Sequence, residues 1–371
     1  MIKPPLVWYK GDKAIFLLRI TCFFWFFIKV MSWRIWTTNR LLPTAPIADF
    51  FDYLPPILHT ILFTISLCLL VAAFFKGSKP ILVTLLAIEI ISCILDQNRL
   101  QPWEYQYFFT VFLFIVNGGN RKIIPACFAF LLVSTYFYSG LSKINGGFLQ
   151  SIWSTSILKV FFKIPAHIVA QNWVHYSGLL LGATELLGGI GLLFTKTQAL
   201  SAKLLIVMHL FIIVFLGFFG YNVSKVLWVW NTSMIFYLYY IFIFYNVGGS
   251  IIQSTIQGIN KLVFLCWGIL PILSFMGYWD YYLSSNLFSG NTPKMVICIM
   301  DTSACKPLKR FCYKKDINNT CHGLEKTDIQ TLAILETGVS AYPEIRVYKK
   351  MQQKLKKQYP TAGLNFVYFT R

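Results

Sequence analysis

Runs of about twenty apolar residues recur along this 371-residue chain, and no other feature narrows its fold as much. A helix needs about 20 such residues to cross a bilayer, and in lipid every backbone polar group must be satisfied inside its own helix or in a closed barrel. Continuous runs of that length select helices. They predict spans at about 14–33, 56–75, 80–95, 105–118, 123–142, 174–194, 198–219, 226–247 and 262–283. The third and fourth are short and meet through a polar connection from Asp96 to Trp103, so the expectation is a polytopic all-α membrane bundle of eight to nine transmembrane helices.

The balance of residues agrees with that reading. Hydrophobic residues make up 56% of the chain and charged ones 13%, about half the charged fraction of an average soluble domain. A net charge of +19 would point a soluble protein toward nucleic acid. In a membrane protein the same excess sits in short flanking loops, where it sets topology and meets anionic headgroups. Membrane lipids are therefore the expected partners, and nucleic acid is not. The first apolar run is interrupted by Arg19, ends at Lys29 and Trp33 and lacks a small-residue cleavage site, so it is expected to remain in the mature protein.

Orientation follows from the basic loops. Lys3, Lys10 and Lys13 precede the first span, Lys76 and Lys79 separate the second and third, and Arg121 and Lys122 separate the fourth and fifth. These loops share one side, which the positive-inside rule makes cytoplasmic. Lys159 and Lys163 fall on the other side. Nine spans then carry the C-terminus outside.

Near Phe288 the apolar runs stop, dividing the chain into a helical membrane domain, 1–287, and a small basic soluble domain, 288–371. The second part reads as α/β and extracytoplasmic. Strands are expected at Lys294–Asp301, Gln330–Thr337 and Leu364–Thr370, with an amphipathic helix opened by Pro343 and marked by Ile345, Tyr348, Leu355 and Tyr359. At roughly 80 residues this domain is small for a self-sufficient core, so it is expected to lean on the membrane part. Lys349, Lys350, Lys354, Lys356 and Lys357 give its helix a basic face, either merely solvated or open to headgroups or an acidic protein partner.

Five of the nine cysteines lie in or beside apolar spans and behave as small hydrophobes. The other four, Cys298, Cys305, Cys312 and Cys321, share the soluble domain. Four cysteines allow three full pairings. A zinc site is the alternative because His322 follows Cys321, but the spacings of seven, seven and nine lack a close C-x-x-C pair, so disulfides and no metal are expected.

Ionisable groups inside spans are costly and so mark candidate sites. Arg19, Glu89, Glu185 and His209 stand out. Glu185 and His209 lie eleven and thirteen residues from a hairpin turn near Lys196, which places both close to mid-membrane at about 1.5 Å per residue. Such a pair either shuttles protons and holds a polar ring, or ties two helices together. The polar run Asp96-Gln97-Asn98-Arg99-Leu100-Gln101-Pro102-Trp103 either lines a cavity or caps helices. Arg19, Glu89, Asp96 and Arg99 form the expected cofactor-binding set. Lys143 ends the fifth span beside a glycine hinge, where a lysine either snorkels or, in a poorly solvated pocket, serves as a base.

An arginine in the first span, the block Tyr136-Phe137-Tyr138-Ser139-Gly140-Leu141-Ser142-Lys143, and a following Trp-containing amphipathic segment resemble the vitamin K-dependent gamma-carboxylase and horizontally transferred transmembrane domain family over roughly residues 10–250. The resemblance implies Lys143 as the base that deprotonates a quinol of vitamin K type, with carboxylase or oxidoreductase chemistry on a protein substrate. Glu185 and His209 join it as candidate catalytic residues. Gly182-Ala183-Thr184-Glu185-Leu186-Leu187-Gly188-Gly189 is similar to a helix of DoxX-like membrane proteins, linked to quinone and thiol redox. Animal carboxylases carry a much larger lumenal region than this chain, which leaves a non-enzymatic scaffold or assembly subunit of an envelope complex as the alternative.

Overall fold

The computed structural model describes residues 12–222, 224–313 and 320–370, so the topology residues Lys3 and Lys10 lie outside the described residues. Six helices among these are long and apolar enough to cross a membrane: Lys13–Met31, Ile57–Phe75, Arg121–Ser142, Gln198–Leu216, Lys225–Phe244 and Gly258–Met276. The chain is a multi-pass membrane protein. Three further helices, Lys79–Leu95, Pro102–Val116 and Leu179–Gly191, are shorter. The run expected as a span at 174–194 begins inside a separate short helix, Asn172–Tyr176, so only Leu179–Gly191 is continuous helix.

Local signals account for the boundaries. The Asp12 carboxylate accepts from Ala14 N at 3.0 Å and caps the first helix. Proline occupies the first turn of the helices Lys79–Leu95, Pro102–Val116 and Ile124–Ser142, where a missing N–H costs nothing. Ile124–Ser142 is buried along almost its whole length and forms the axis of the bundle. Its Tyr138 hydroxyl donates to Gly268 O on the last long helix.

The two ends of the bundle differ. At one, Arg121 pairs with Asp12 at 3.1 Å and the Tyr240 hydroxyl donates to Lys13 O. At the other sits the C-terminal domain. Its Glu336 carboxylate accepts from Leu41 N and Leu42 N, its Tyr342 N donates to Asn98 Oδ1 at 3.1 Å, and its Arg346 pairs with Asp280. The domain does lean on the membrane part.

That domain is built on a three-stranded antiparallel sheet, β1 (Lys294–Ile299), β2 (Glu325–Asp328) and β3 (Leu364–Phe369), in the order β2-β1-β3. Val296 sits opposite Asp328 on one side and Val367 on the other. The first and last strands fall where the alternation placed them. The expected strand Gln330–Thr337 is instead a helix, Ile329–Thr337, and the second strand lies just before it. Asp328 decides the matter: its carboxylate accepts from Thr331 N at 2.7 Å, an N-cap, and Ile329, Leu332, Ala333 and Glu336 then share one buried face at helical spacing. The expected amphipathic helix is Ile345–Gln358; it buries Tyr348 and Leu355 as expected, together with Val347 and Met351, while Ile345 and Tyr359 are half-buried. Its basic face is not wholly free, because Lys350 pairs with Asp49 at 2.6 Å and Lys354 with Asp52 at 2.5 Å.

Cys298 and Cys321 form a disulfide between β1 and the loop before β2. That bridge removes both from any zinc set. Cys305 and Cys312 are free thiols that donate to Asp301 O and Leu308 O, so the expectation of four oxidised cysteines holds for one pair only.

Candidate functional site

The central helix meets Leu179–Gly191 along a seam of glycines. A Cβ at Gly140 would lie 2.4 Å from Leu186 N, and one at Gly189 would lie 2.9 Å from Phe137 N, so only glycine permits this backbone approach. The seam brings Glu185 against the end of the central helix. Lys143 Nζ donates to Glu185 Oε2 at 2.6 Å and to Ser139 Oγ at 2.6 Å, and Ser139 Oγ donates to the same carboxylate oxygen at 3.0 Å. Lysine, serine and glutamate close a buried triangle.

One turn further along the same helix lies a second polar group. His209 Nε2 is 2.7 Å from the Tyr136 hydroxyl, and His209 Nδ1 is 2.7 Å from Asn231 Oδ1. Asn231 Nδ2 donates to Leu227 O at 2.7 Å, which fixes the carboxamide with its oxygen toward the ring. The ring therefore donates from Nδ1 to Asn231 Oδ1, and in the tautomer with Nε2 bare it accepts from the Tyr136 hydroxyl. Glu185 and His209 thus do not pair directly; each is held by a different residue of the central helix. Both border one cavity of about 260 Å³, together with Lys143, Tyr136, Ser139 and Asn231. The remaining wall is apolar, with Ile152, Leu181, Met208, Phe211, Phe215 and Met234 among its residues. A mostly apolar chamber with a few convergent polar groups is the usual form of a small-molecule site.

The four residues expected to hold a cofactor lie elsewhere. Arg19 is on the exposed face of the first helix. Asp96 and Arg99 cap helices rather than line this chamber. The Asp96 carboxylate pairs with Arg40 and accepts from Ala45 N at 3.0 Å, while Arg99 donates to Ile35 O, Ser92 O and Trp36 O and lies 2.7 Å from His59 Nδ1. Four of the five donors of this guanidinium are thereby engaged within the protein, which makes it a structural tie rather than a ligand contact.

Glu89 belongs to a separate sealed cluster. Lys29 Nζ donates to Glu89 Oε2 at 2.7 Å, lies 3.9 Å from Glu104 Oε1 and sits 3.0 Å from the centre of the Trp36 ring. Ser66 donates to Glu89, and Trp25 Nε1 donates to Glu104 Oε2 at 2.7 Å. Lys29, Glu89 and Glu104 have no solvent exposure. Sequence reasoning treated Lys29 as the end of a run and left Glu104 outside its span, which began at 105. The sign that could have found them is a lysine and two glutamates toward the same end of the first, third and fourth long helices. Tyr136 and Asn231 were also missed, since a tyrosine and an asparagine inside apolar runs look ordinary without their partner.

No known family model matches the chain, and no curated protein or solved structure does either.

Proposed function

We propose that the chamber binds a quinol and that the protein carries out quinol-coupled oxidoreductase or carboxylase chemistry, with Lys143 and Glu185 as the proton-accepting pair. The observation that carries this reading is the opening of two polar clusters, Lys143-Ser139-Glu185 and His209-Tyr136-Asn231, into one apolar cavity inside the bundle. A flat, lipophilic ring with two hydroxyl groups matches such a wall. One hydroxyl would donate to the Lys143-Glu185 pair, and the other would face Tyr136 and His209. The fit is of chemistry and size, and it accords with the carboxylase-like resemblance of the block ending in Lys143. Bound quinol would supply the reducing electrons. The residues of this chain would hold the ring, keep water from it and take up the hydroxyl proton.

The same reading gives the protein nine spans, a cytoplasmic N-terminus and an extracytoplasmic C-terminal domain. Lys13, Lys76, Lys79, Arg121, Lys122 and Lys196 all fall on connections at the end of the bundle away from the C-terminal domain, which is the basic side that the positive-inside rule makes cytoplasmic. The disulfide Cys298–Cys321 suits an oxidising compartment.

Quinol consumption with oxygen in proteoliposomes tests the assignment, with and without carbon dioxide and peptide. Lys143→Arg and Lys143→Ala should both lose activity by about two orders of magnitude or more, because guanidinium keeps its proton at usable pH. Full activity in Lys143→Arg overturns the role of the lysine. A wild-type protein that neither binds nor turns over quinol, while co-purifying with a stable envelope partner, replaces the enzyme with a scaffold.

A further inference from the structure

The apolar chamber is not closed toward the C-terminal domain. A second cavity of about 390 Å³ lies between the bundle and that domain, and Ile152, Ser156, Leu227, Trp230, Phe288 and Ser340 border both. Phe288 stands on this shared wall with φ of +52°, a left-handed conformation that bulky residues rarely adopt. The second cavity in turn shares Gly290, Thr292, Lys294 and Gln330 with a surface groove on the sheet of the soluble domain. Groove, vestibule and chamber thus adjoin in succession through shared walls.

Two residues that border the vestibule also carry buried side-chain oxygens without a hydrogen-bond partner. Gln330 Nε2 donates to Ala341 O at 3.0 Å and to the Tyr348 hydroxyl at 2.9 Å, and that hydroxyl donates onward to Pro293 O at 3.1 Å. The carboxamide orientation is thereby fixed, and its buried Oε1 accepts no bond. Asn286, 2% exposed, is a second wall residue whose buried Oδ1 has no partner. Buried polar atoms left unpaired are costly, so two on residues bordering one cavity mark a place where something else completes them. Lys294 is the charged group at the mouth.

We infer that the vestibule binds a polar co-substrate carrying N–H or O–H donors, admitted through the soluble domain, while the lipophilic ligand reaches the inner chamber from the membrane. A polar solute cannot approach that chamber through hydrocarbon, and the groove and vestibule supply the aqueous path. In naming a co-substrate the inference rests on the quinol reading; the route and its donor requirement stand on the cavities alone.

The test uses full-length protein in nanodiscs, a charged water-soluble thiol reagent, and peptide mapping to read each cysteine separately. Thr292→Cys probes the outer end of the vestibule, the near-isosteric Ser340→Cys probes the wall shared with the inner chamber, and the native buried Cys127 is the sealed reference. Both introduced cysteines should label well ahead of Cys127, Thr292→Cys faster. N-acetylglycinamide, which carries donors, should slow labelling of Ser340→Cys roughly threefold or more, the effect of one hydrogen bond, and N,N-dimethylacetamide, which carries none, should not. Ser340→Cys protected as fully as Cys127, in a variant whose melting curve matches wild type, overturns the route. Equal protection by the two amides, or protection by neither, overturns the donor site and leaves the orphan oxygens to water. Quinone binding is measured on the same samples, so a chain that binds no quinone but labels as expected loses the quinol reading and keeps the route.

Discussion

Lys29 and Lys143 are both buried lysines paired with a glutamate on a neighbouring helix, at 2.7 Å and 2.6 Å. Around Lys29 the structure is closed: an indole ring covers the ammonium, a second carboxylate stands 3.9 Å away, and none of the three charged groups is exposed. Around Lys143 the partners are a serine and a carboxylate, and the triangle opens into a cavity. The chemical groups are nearly the same, but a sealed ion pair holds helices together, whereas one that borders a cavity can exchange a proton with whatever enters. Access separates these two sites more than residue type does.

The largest expected effect tests the sealed side. Lys29→Met leaves two buried carboxylates without a cation and should cost about 3–5 kcal/mol in denaturant unfolding, the usual penalty for breaking a buried pair from one side. Adding Glu89→Gln and Glu104→Gln should recover much of that loss. A loss below about 1 kcal/mol for Lys29→Met would show that water reaches the cluster and erase the contrast.

Next comes the seam that builds the open site. Gly140→Ala sets a methyl group 2.4 Å from Leu186 N, against backbone that cannot rotate away, and should cost about 3 kcal/mol, the upper end of overpacking. Crosslinking yields between cysteines placed on the two helices should fall with it. Glu185→Gln should cost less, about 1.5 kcal/mol, because the amide still accepts from Ser139 and Lys143 can be hydrated from the cavity. Quinol turnover should nonetheless fall sharply in that variant. A stability loss as large as that of Lys29→Met would place Glu185 among the structural pairs.

The smallest effect lies at the rim, where the C-terminal domain meets the bundle. Burial, and then the neighbouring negative charge of Asp280, push the Glu344 carboxyl up to about 7. The folded state therefore holds a proton that the unfolded chain gives up near 4.5, and Glu344 contributes stability that is full below about 4.5 and lost as pH rises to about 7. Partial exposure to water keeps the effect modest. Melting curves of wild type should decline across that window, and Glu344→Gln should flatten the decline.

Several features were legible in the residues alone because they depend on local pattern. Apolar runs mark helices wherever the backbone must satisfy itself, so six long helices emerge from length and hydropathy. Period-two alternation marked β1 and β3, and the spacing of Ile345, Tyr348, Leu355 and Tyr359 after Pro343 marked the amphipathic helix. Gln330–Thr337 misled because a short apolar run fits either element until the cap at Asp328 is weighed.

What the sequence determined by itself, then, is a membrane bundle with a small appended domain, and three of its buried ionisable residues, Glu89, Glu185 and His209, since placing a charge in an apolar run needs no partner to be noticed. Which of those charges meet was decided only in three dimensions. Lys143 reaches Glu185 because glycines at 140, 182 and 189 let two backbones touch, and Lys29 reaches Glu89 and Glu104 because three helices converge at one depth. Arg19 turned outward and Arg99 was absorbed by backbone carbonyls for the same reason in reverse. A side chain's partners depend on helix rotation and crossing, which are set by packing across contacts up to hundreds of residues apart, and a cavity is the space such packing leaves unfilled. No local pattern encodes either.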